Sequence, residues 1–294
     1  MFKFGFTVDS GNRENDAEDT KEETSVLSWF PAERIEVSSE QLSKTFDNDD
    51  FQITNMFCDI TLKILHADKV VIDLQHDHCK NIIEAESQHS DLVPAKYEGG
   101  LKIWECTYDL GRYLLAEQIP LDHKEVLDLG CGAGVIGLLA VLKGSANVHF
   151  QDYNAEVIKS ITIPNVILNI GDKKRVREQC AFFSGDWESF SKLESQKYDI
   201  ILTSETIYNP DNQQKLYNVF KSKLKKNGMV YVAGKVYYFG VGGGMRQFEE
   251  LVSSEKKFFT ETVWRSEEGS NLQYVVWMFD LTNFMGFEIN EFRL

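Results

Sequence analysis

The chain has 294 residues, 43% of them apolar, which is enough to bury one full α/β core with a modest extension. Its formal charge of −15 argues against a broad nucleic-acid footprint, because phosphate recognition needs clustered Lys and Arg, and it suits a basic partner. Long apolar runs are absent, and the five cysteines include no C-x-x-C pair, so a membrane span, a disulfide framework and a zinc site are all disfavoured and a soluble protein of a reducing compartment is expected.

In chain order, Phe2, Phe4 and Phe6 alternate with Lys3, Gly5 and Thr7 at the period of a half-buried strand. Residues 9–28, densest in acid from Asp9 to Glu23, carry too little apolar surface to offset ordering entropy and read as a disordered loop. Phe57 to Leu65 and Lys69 to Leu74 read as two strands or a hairpin serving as a lid or substrate-side extension. His76, His78 and Cys79 lie in a short polar stretch without further ligand candidates, so a solvated loop is expected there and no metal. The extension is expected to occupy 1–89, the main domain 90–281 and a C-terminal extension 282–294.

From Lys124 onward strand and helix patterns alternate: EVLDLGCG with VIGLLAVLKG, NVHFQDYN with AEVIKSITIPNVILN, and YDIILTSE with DNQQKLYNVFKSKLKKNG. That alternation predicts βαβ units and a parallel sheet covered on both faces. Met229 to Ala233 and Leu272 to Leu281 supply further strands, with a helix from Arg246 to Glu255 between them. Lys173, Lys174, Arg175 and Arg177 form a compact basic run in a predicted loop, readable as an import signal, an RNA contact or an ordinary solvated cluster.

Chemistry concentrates first in Val126-Leu-Asp-Leu-Gly130-Cys-Gly132-Ala-Gly134-Val-Ile-Gly137, a buried strand running through a glycine-rich turn into an apolar helix. Such a turn lets a ligand approach the backbone closely. Asp152, twenty residues past Gly132, falls where an acid holds a ribose hydroxyl in a dinucleotide or an adenosyl ligand alike. Three features favour S-adenosylmethionine, with S-adenosylhomocysteine as product. Asp128 belongs to the D-L-G-C-G-x-G turn typical of methyltransferases. Phe183-Ser-Gly185-Asp186-Trp187 places an acid and an aromatic where adenine would lie. Ile201-Leu-Thr-Ser204-Glu205 ends the fourth strand with polar groups at the ligand edge.

Tyr97-EGGLKIWECTYDL, Val126-LDLGCGAG, His149-FQDYN, Phe182-FSGDW, Tyr198-DIILTSETIYNP and Tyr237-YFGVGGG together resemble the eukaryotic histidine protein methyltransferase family over roughly residues 90 to 280. The resemblance implies an α/β, Rossmann-like seven-strand class I methyltransferase sheet with an N-terminal extension. It also implies that Ile103, Trp104, Glu105, Cys106 and Thr107 line the methionine end of the pocket beside Gly130, Gly132 and Gly134. Gln151, Asp152 and Tyr153 would serve ribose and adenine, Gly185, Asp186 and Trp187 the adenine, and Ser204 the sulfonium side.

The substrate it implies is the tele nitrogen of a histidine in a large-subunit ribosomal protein, a basic partner. A monomer without membrane attachment or direct nucleic-acid specificity is expected, in cytoplasm and nucleus and extending to the nucleolus. Glu205, Tyr208 and Asn209 follow the fourth strand on the ligand edge and are the candidate catalytic residues. Glu205 could accept an imidazole N–H and Tyr208 pack on the ring; equally, Glu205 could serve the cofactor or a helix end and Tyr208 the core. Lysine methylation by the same fold and a cofactor-binding assembly factor stay open as alternatives. Tyr237 to Gly244 reads as a loop closing over a peptide or as a wide turn.

Overall fold

The computed structural model describes residues 29–57, 60–76, 82–83, 92–93, 95–266 and 273–280. The Phe2–Phe6 alternation, the acidic stretch 9–28, His78, Cys79 and the segment 282–294 lie outside the described residues.

One sheet carries the domain. Its strands are β1 (Glu33–Ile35), β4 (Glu125–Leu129), β5 (Asn147–Asp152), β6 (Cys180–Ser184), β7 (Tyr198–Ser204), β8 (Leu224–Lys235), β9 (Phe258–Arg265) and β10 (Gln273–Asp280), in the spatial order β1-β6-β5-β4-β7-β8-β10-β9. The run from β6 to β8 is parallel, and β10 lies antiparallel between β8 and β9. This is the expected seven-strand arrangement with one addition: β1 extends the edge antiparallel to β6, pairing Arg34 with Phe183. The sequence reading missed β9, because Phe258–Arg265 follows the helix Met245–Glu255 after only Lys256 and Lys257. Lys256, in the left-handed conformation at φ 52°, ends that helix abruptly.

Helices cover both faces, so the central strands are apolar in both parities. Val126, Val148, Phe150, Phe182, Ile200, Leu202 and Tyr231 enter one core layer, and Leu127, Leu129, Phe183, Ile201, Val230 and Val232 enter the other. The helix Val135–Leu142 is apolar almost throughout because it is sandwiched. A Cβ added at Gly137 would meet the Phe150 ring at 2.2 Å, so only glycine allows this helix to lie so close to β5.

A hairpin is present but between other segments than expected: Phe51–Phe57 (β2) pairs with Ile60–Leu65 (β3), and Lys69 to Leu74, read as its second strand, belongs to the helix Ala67–His76. Its β-branched run mimics a strand, whereas the buried pair Val70 and Leu74 shows the four-residue helical repeat. None of the described residues of β2 and β3 lines the cleft described below. The hairpin is fastened to the helix Ile163–Ile170 instead, where Asn165 accepts from the Leu65 N–H at 2.9 Å and donates to the Ala133 carbonyl at 3.0 Å. The basic run is also not a loop, since Lys173–Gln179 is a helix capped by Asp172, with its four cations exposed. No helix among the described residues is long and apolar enough to cross a membrane.

Candidate cofactor and substrate site

Chain order reverses between β4 and β7, and the carboxyl ends of the strands there border a cleft of about 800 Å³. Gly130, Cys131, Gly132 and Ala133 form its floor. Gly130 and Gly132 stand at φ 68° and 49°, and a Cβ on Gly132 would sit 2.8 Å from the Gly100 carbonyl, so the turn is both left-handed and pressed against the loop that precedes Trp104. The Asp152 carboxylate accepts from the Gly132 N–H at 2.9 Å and the Asn154 N–H at 3.2 Å. Burial nevertheless pushes its pKa up to about 6. Asp128 and Gly134 act from behind the floor and do not line the cleft. Asp128 accepts from the Gly137 N–H at 2.7 Å, and burial pushes its pKa up to about 8. Thr162, in the π-helical turn Ile158–Thr162, donates to the Gly132 carbonyl at 2.6 Å, so that irregular turn braces the floor.

Gly185, Asp186, Trp187 and Tyr153 line one end of the cleft. Gln151 does not reach it: buried, it accepts from the Trp187 indole at 3.0 Å and donates to the Gly185 carbonyl at 2.8 Å, which locks the ends of β5 and β6 together. The Asp186 side chain caps the helix Trp187–Leu193 and pairs with Lys215 at 2.6 Å. The strap ahead of β1 crosses here. Trp29 meets the Tyr153 ring edge-on at 5.6 Å, carries the Lys215 ammonium 3.9 Å from its ring centroid, and itself lines the cleft.

At the other end Ile103, Trp104, Thr107 and Ser204 line the cleft, with the Thr107 and Ser204 hydroxyls sharing a 2.9 Å hydrogen bond. Glu105 and Cys106 do not line it. Glu105 turns outward to pair with Lys235 at 3.2 Å, and the Cys106 thiol is buried, its pKa driven well up chiefly by desolvation.

A second cavity of about 380 Å³ adjoins the first and shares Glu98, Trp104, Glu205 and Tyr208 with it; Leu92, Tyr238 and Val241 complete its wall. Glu205 adopts φ 58°, unusual for a residue with a side chain, and its own N–H donates to the Ala233 carbonyl at 2.9 Å. Its carboxylate accepts from the Cys106 N–H at 3.2 Å and from the Tyr238 hydroxyl. Trp104 offers no side-chain cap to the helix Glu105–Ala116, so Glu205 caps that helix from β7, one of the roles the sequence left open for it. The Tyr208 hydroxyl donates to Glu98. Asn209 lines neither cavity; its side chain accepts from the Asp211 N–H at 3.0 Å and caps the helix Pro210–Lys223.

Sequence reasoning therefore missed Trp29, Glu98, Lys102, Asn212 and Tyr238. Glu98, Lys102 and Tyr238 fall inside the quoted family motifs, which was the available signal. Trp29 sits in a stretch without any motif.

The cleft fits an adenosyl amino acid. Gly130 and Gly132 leave no room for a Cβ and bare the backbone of its floor, Asp152 presents a buried acceptor, and Asn212, 6% exposed, holds an Oδ1 without a hydrogen-bond partner in the cleft wall, ready for a donor on a bound molecule. The sheet order, the glycine turn and the acid ending the second parallel strand together define the class: a class I methyltransferase whose methyl donor is S-adenosylmethionine. The chain belongs to the family described as lysine methyltransferase, whose model matches residues 94–262.

Among curated relatives it is similar to a histidine protein methyltransferase 1 homolog of Dictyostelium discoideum, 47% identical over 196 residues that cover 66% of this chain and 61% of that protein. The Bos taurus homolog of the same name is 46% identical over 216 residues, covering 65% of this chain and 58% of the relative. The chain thus spans about three fifths of the length of these relatives. A solved Streptococcus mutans protein assigned as a SAM-dependent methyltransferase shares the fold, with a TM-score of 0.52 at 12% identity, over 80% of this chain and 57% of that one.

Proposed function

We propose that this chain methylates the tele nitrogen of a histidine in a basic protein, a large-subunit ribosomal protein, with the domain at 90–281 carrying the reaction. The observation that carries the reading is the second cavity, which opens beside the cofactor cleft and is walled by aromatic rings and carboxylates. The relatives named as histidine methyltransferases point the same way. The formal charge of −15 suits a basic substrate, and the exposed run Lys173, Lys174, Arg175 and Arg177 suits import into nucleus and nucleolus.

S-adenosylmethionine supplies an electrophilic methyl on a sulfonium. The residues of this chain bring a nucleophile in line with it and keep water away. Trp104 and Tyr208 line both cavities and offer aromatic surface on which an imidazole ring can pack. Near neutral pH an imidazole of ordinary pKa, about 6.5, already exposes a lone pair, so the pocket need only fix the ring's tautomer and direction.

Lysine methylation is the second reading, favoured by the description of the family model and by the acid-lined aromatic wall, which also suits an ammonium. Incubating the protein with labelled S-adenosylmethionine and a cell extract, then locating label by residue-level mass spectrometry, decides between them. Label on histidine of a ribosomal protein is expected. Label on lysine alone would overturn the histidine assignment.

A further inference from the structure

We infer that Glu98 is the group that binds the far N–H of the substrate imidazole and takes its proton after methyl transfer; this rests on the histidine reading above. Glu98 borders both cavities, so it stands where cofactor and substrate must meet. Its Oε1 accepts from the Ala95 N–H at 3.0 Å and its Oε2 from the Tyr208 hydroxyl, both neutral donors. Each carboxylate oxygen keeps a further acceptor site.

The contrast with Glu205 decides between the two acids. Each acid accepts from one backbone N–H and one tyrosine hydroxyl, but Glu205 caps a helix N-terminus and faces the ammonium of Lys235, whose pKa it and Glu105 hold above the usual value against the opposing effect of burial. Among the described residues Glu98 caps no helix; the charges that act on it are the Asp152 carboxylate, which raises its pKa, and the Lys215 ammonium, itself paired with Asp186, which lowers it less than burial raises it. Desolvation raises its pKa, and the Tyr208 hydrogen bond only partly opposes that. A half-buried carboxylate held by neutral donors is stabilised most by a cation that forms beside it.

Methyl transfer forms such a cation. As the ring nitrogen's lone pair makes the N–C bond and the C–S bond breaks, its electrons returning to sulfur, the ring becomes a methylated imidazolium with a proton on its other nitrogen. Glu98 accepts that proton and later releases it to solvent, leaving neutral methylhistidine. Tyr208 acts as a positioning residue by fixing the carboxylate's second oxygen.

Glu98→Gln tests the assignment, with methylation of a histidine-containing peptide cut from the labelled protein followed against pH at saturating substrate, adenosylhomocysteine affinity measured by calorimetry, and the labelled residue identified for the wild type. We expect kcat to fall by roughly 100-fold, adenosylhomocysteine affinity to stay close to wild type as proof of an intact cleft, and the acid limb of the pH profile to lose one ionisation. Glu98→Asp should recover part of the rate. Histidine methylation by Glu98→Gln at near wild-type kcat with an unchanged profile would overturn this inference alone. A wild type that labels only lysine would remove it together with the histidine reading. A variant that no longer binds adenosylhomocysteine, with no recovery in Glu98→Asp, would show Glu98 to be structural and also overturn it.

Discussion

The carboxylate of Asp152, at the end of β5, accepts a 2.9 Å hydrogen bond from the backbone of Gly132, at the turn after β4. One side chain thereby holds the glycine floor in shape and faces the cleft with its remaining acceptor sites. Hydrogen bonds to a charged acceptor contribute about 1.5–3 kcal/mol each, so Asp152→Ala should weaken adenosylhomocysteine binding by at least about tenfold. The same carboxyl makes binding pH-dependent. Its pKa of about 6 in the free protein means that protonation removes the acceptor as pH falls through that value, so affinity should drop below pH 6. For stability the sign is opposite: a raised carboxyl pKa favours folding at low pH, and that contribution is lost as pH rises from the unfolded value, near 3.8, to about 6. Calorimetry from pH 5 to 8 checks the binding claim, and a flat profile in the wild type would contradict it.

Gly132→Ala should be damaging twice over. The residue stands at φ 49°, where a side chain costs about 1–2 kcal/mol. The new Cβ would also lie 2.8 Å from the backbone carbonyl of Gly100, which cannot yield as a flexible side chain could. The turn and the Glu98–Trp104 loop must separate, so both a lowered Tm and a loss of adenosylhomocysteine affinity are expected. Thermal melts with and without ligand measure the two effects, and unchanged binding would place the ligand somewhere other than this floor.

Much of this site is legible in the residues alone. The glycine spacing, Asp152 and the polar end at Ser204 announce a ligand edge because each obeys a local rule of backbone freedom or strand position. What stays hidden is set by distant partners. Gln151 and Glu105 stand beside cleft-lining residues, yet one turns inward to join two strands and the other outward to Lys235. Asn209 reads as a pocket residue from its position and serves as a cap because Pro210 starts a helix there. The segment Lys69–Leu74 shows the same limit for the fold: its β-branched run suggests a strand, but burial of Val70 and Leu74 against the core makes it helical.

Trp29 lies 124 residues before Tyr153 and still closes that end of the cleft, which no local pattern announces. Its indole is held by the Tyr153 edge and by the Lys215 ammonium 3.9 Å from its ring centroid, with Lys215 tied in turn to Asp186. Trp29→Ala should weaken adenosylhomocysteine binding by roughly tenfold through lost aromatic and apolar contact while lowering Tm only slightly, because the side chain is half-buried at the sheet edge. Equal affinity in variant and wild type would show that the strap covers the cleft without touching its ligand.

Glu205→Gln separates the two acids that border the second cavity. The substitution keeps the side chain's shape but removes the charge that caps the helix Glu105–Ala116 and balances Lys235. Loss of a charge-assisted bond at a buried helix end costs about 1–3 kcal/mol, so Tm should fall by several degrees. Because that helix carries Thr107 against Ser204, adenosylhomocysteine affinity should fall with it. The activity that remains should keep the wild-type shape of its acid limb, since the proton acceptor is a different residue. A Glu205→Gln protein of unaltered Tm and affinity whose acid limb has lost an ionisation would reverse the assignment and make Glu205 the acceptor.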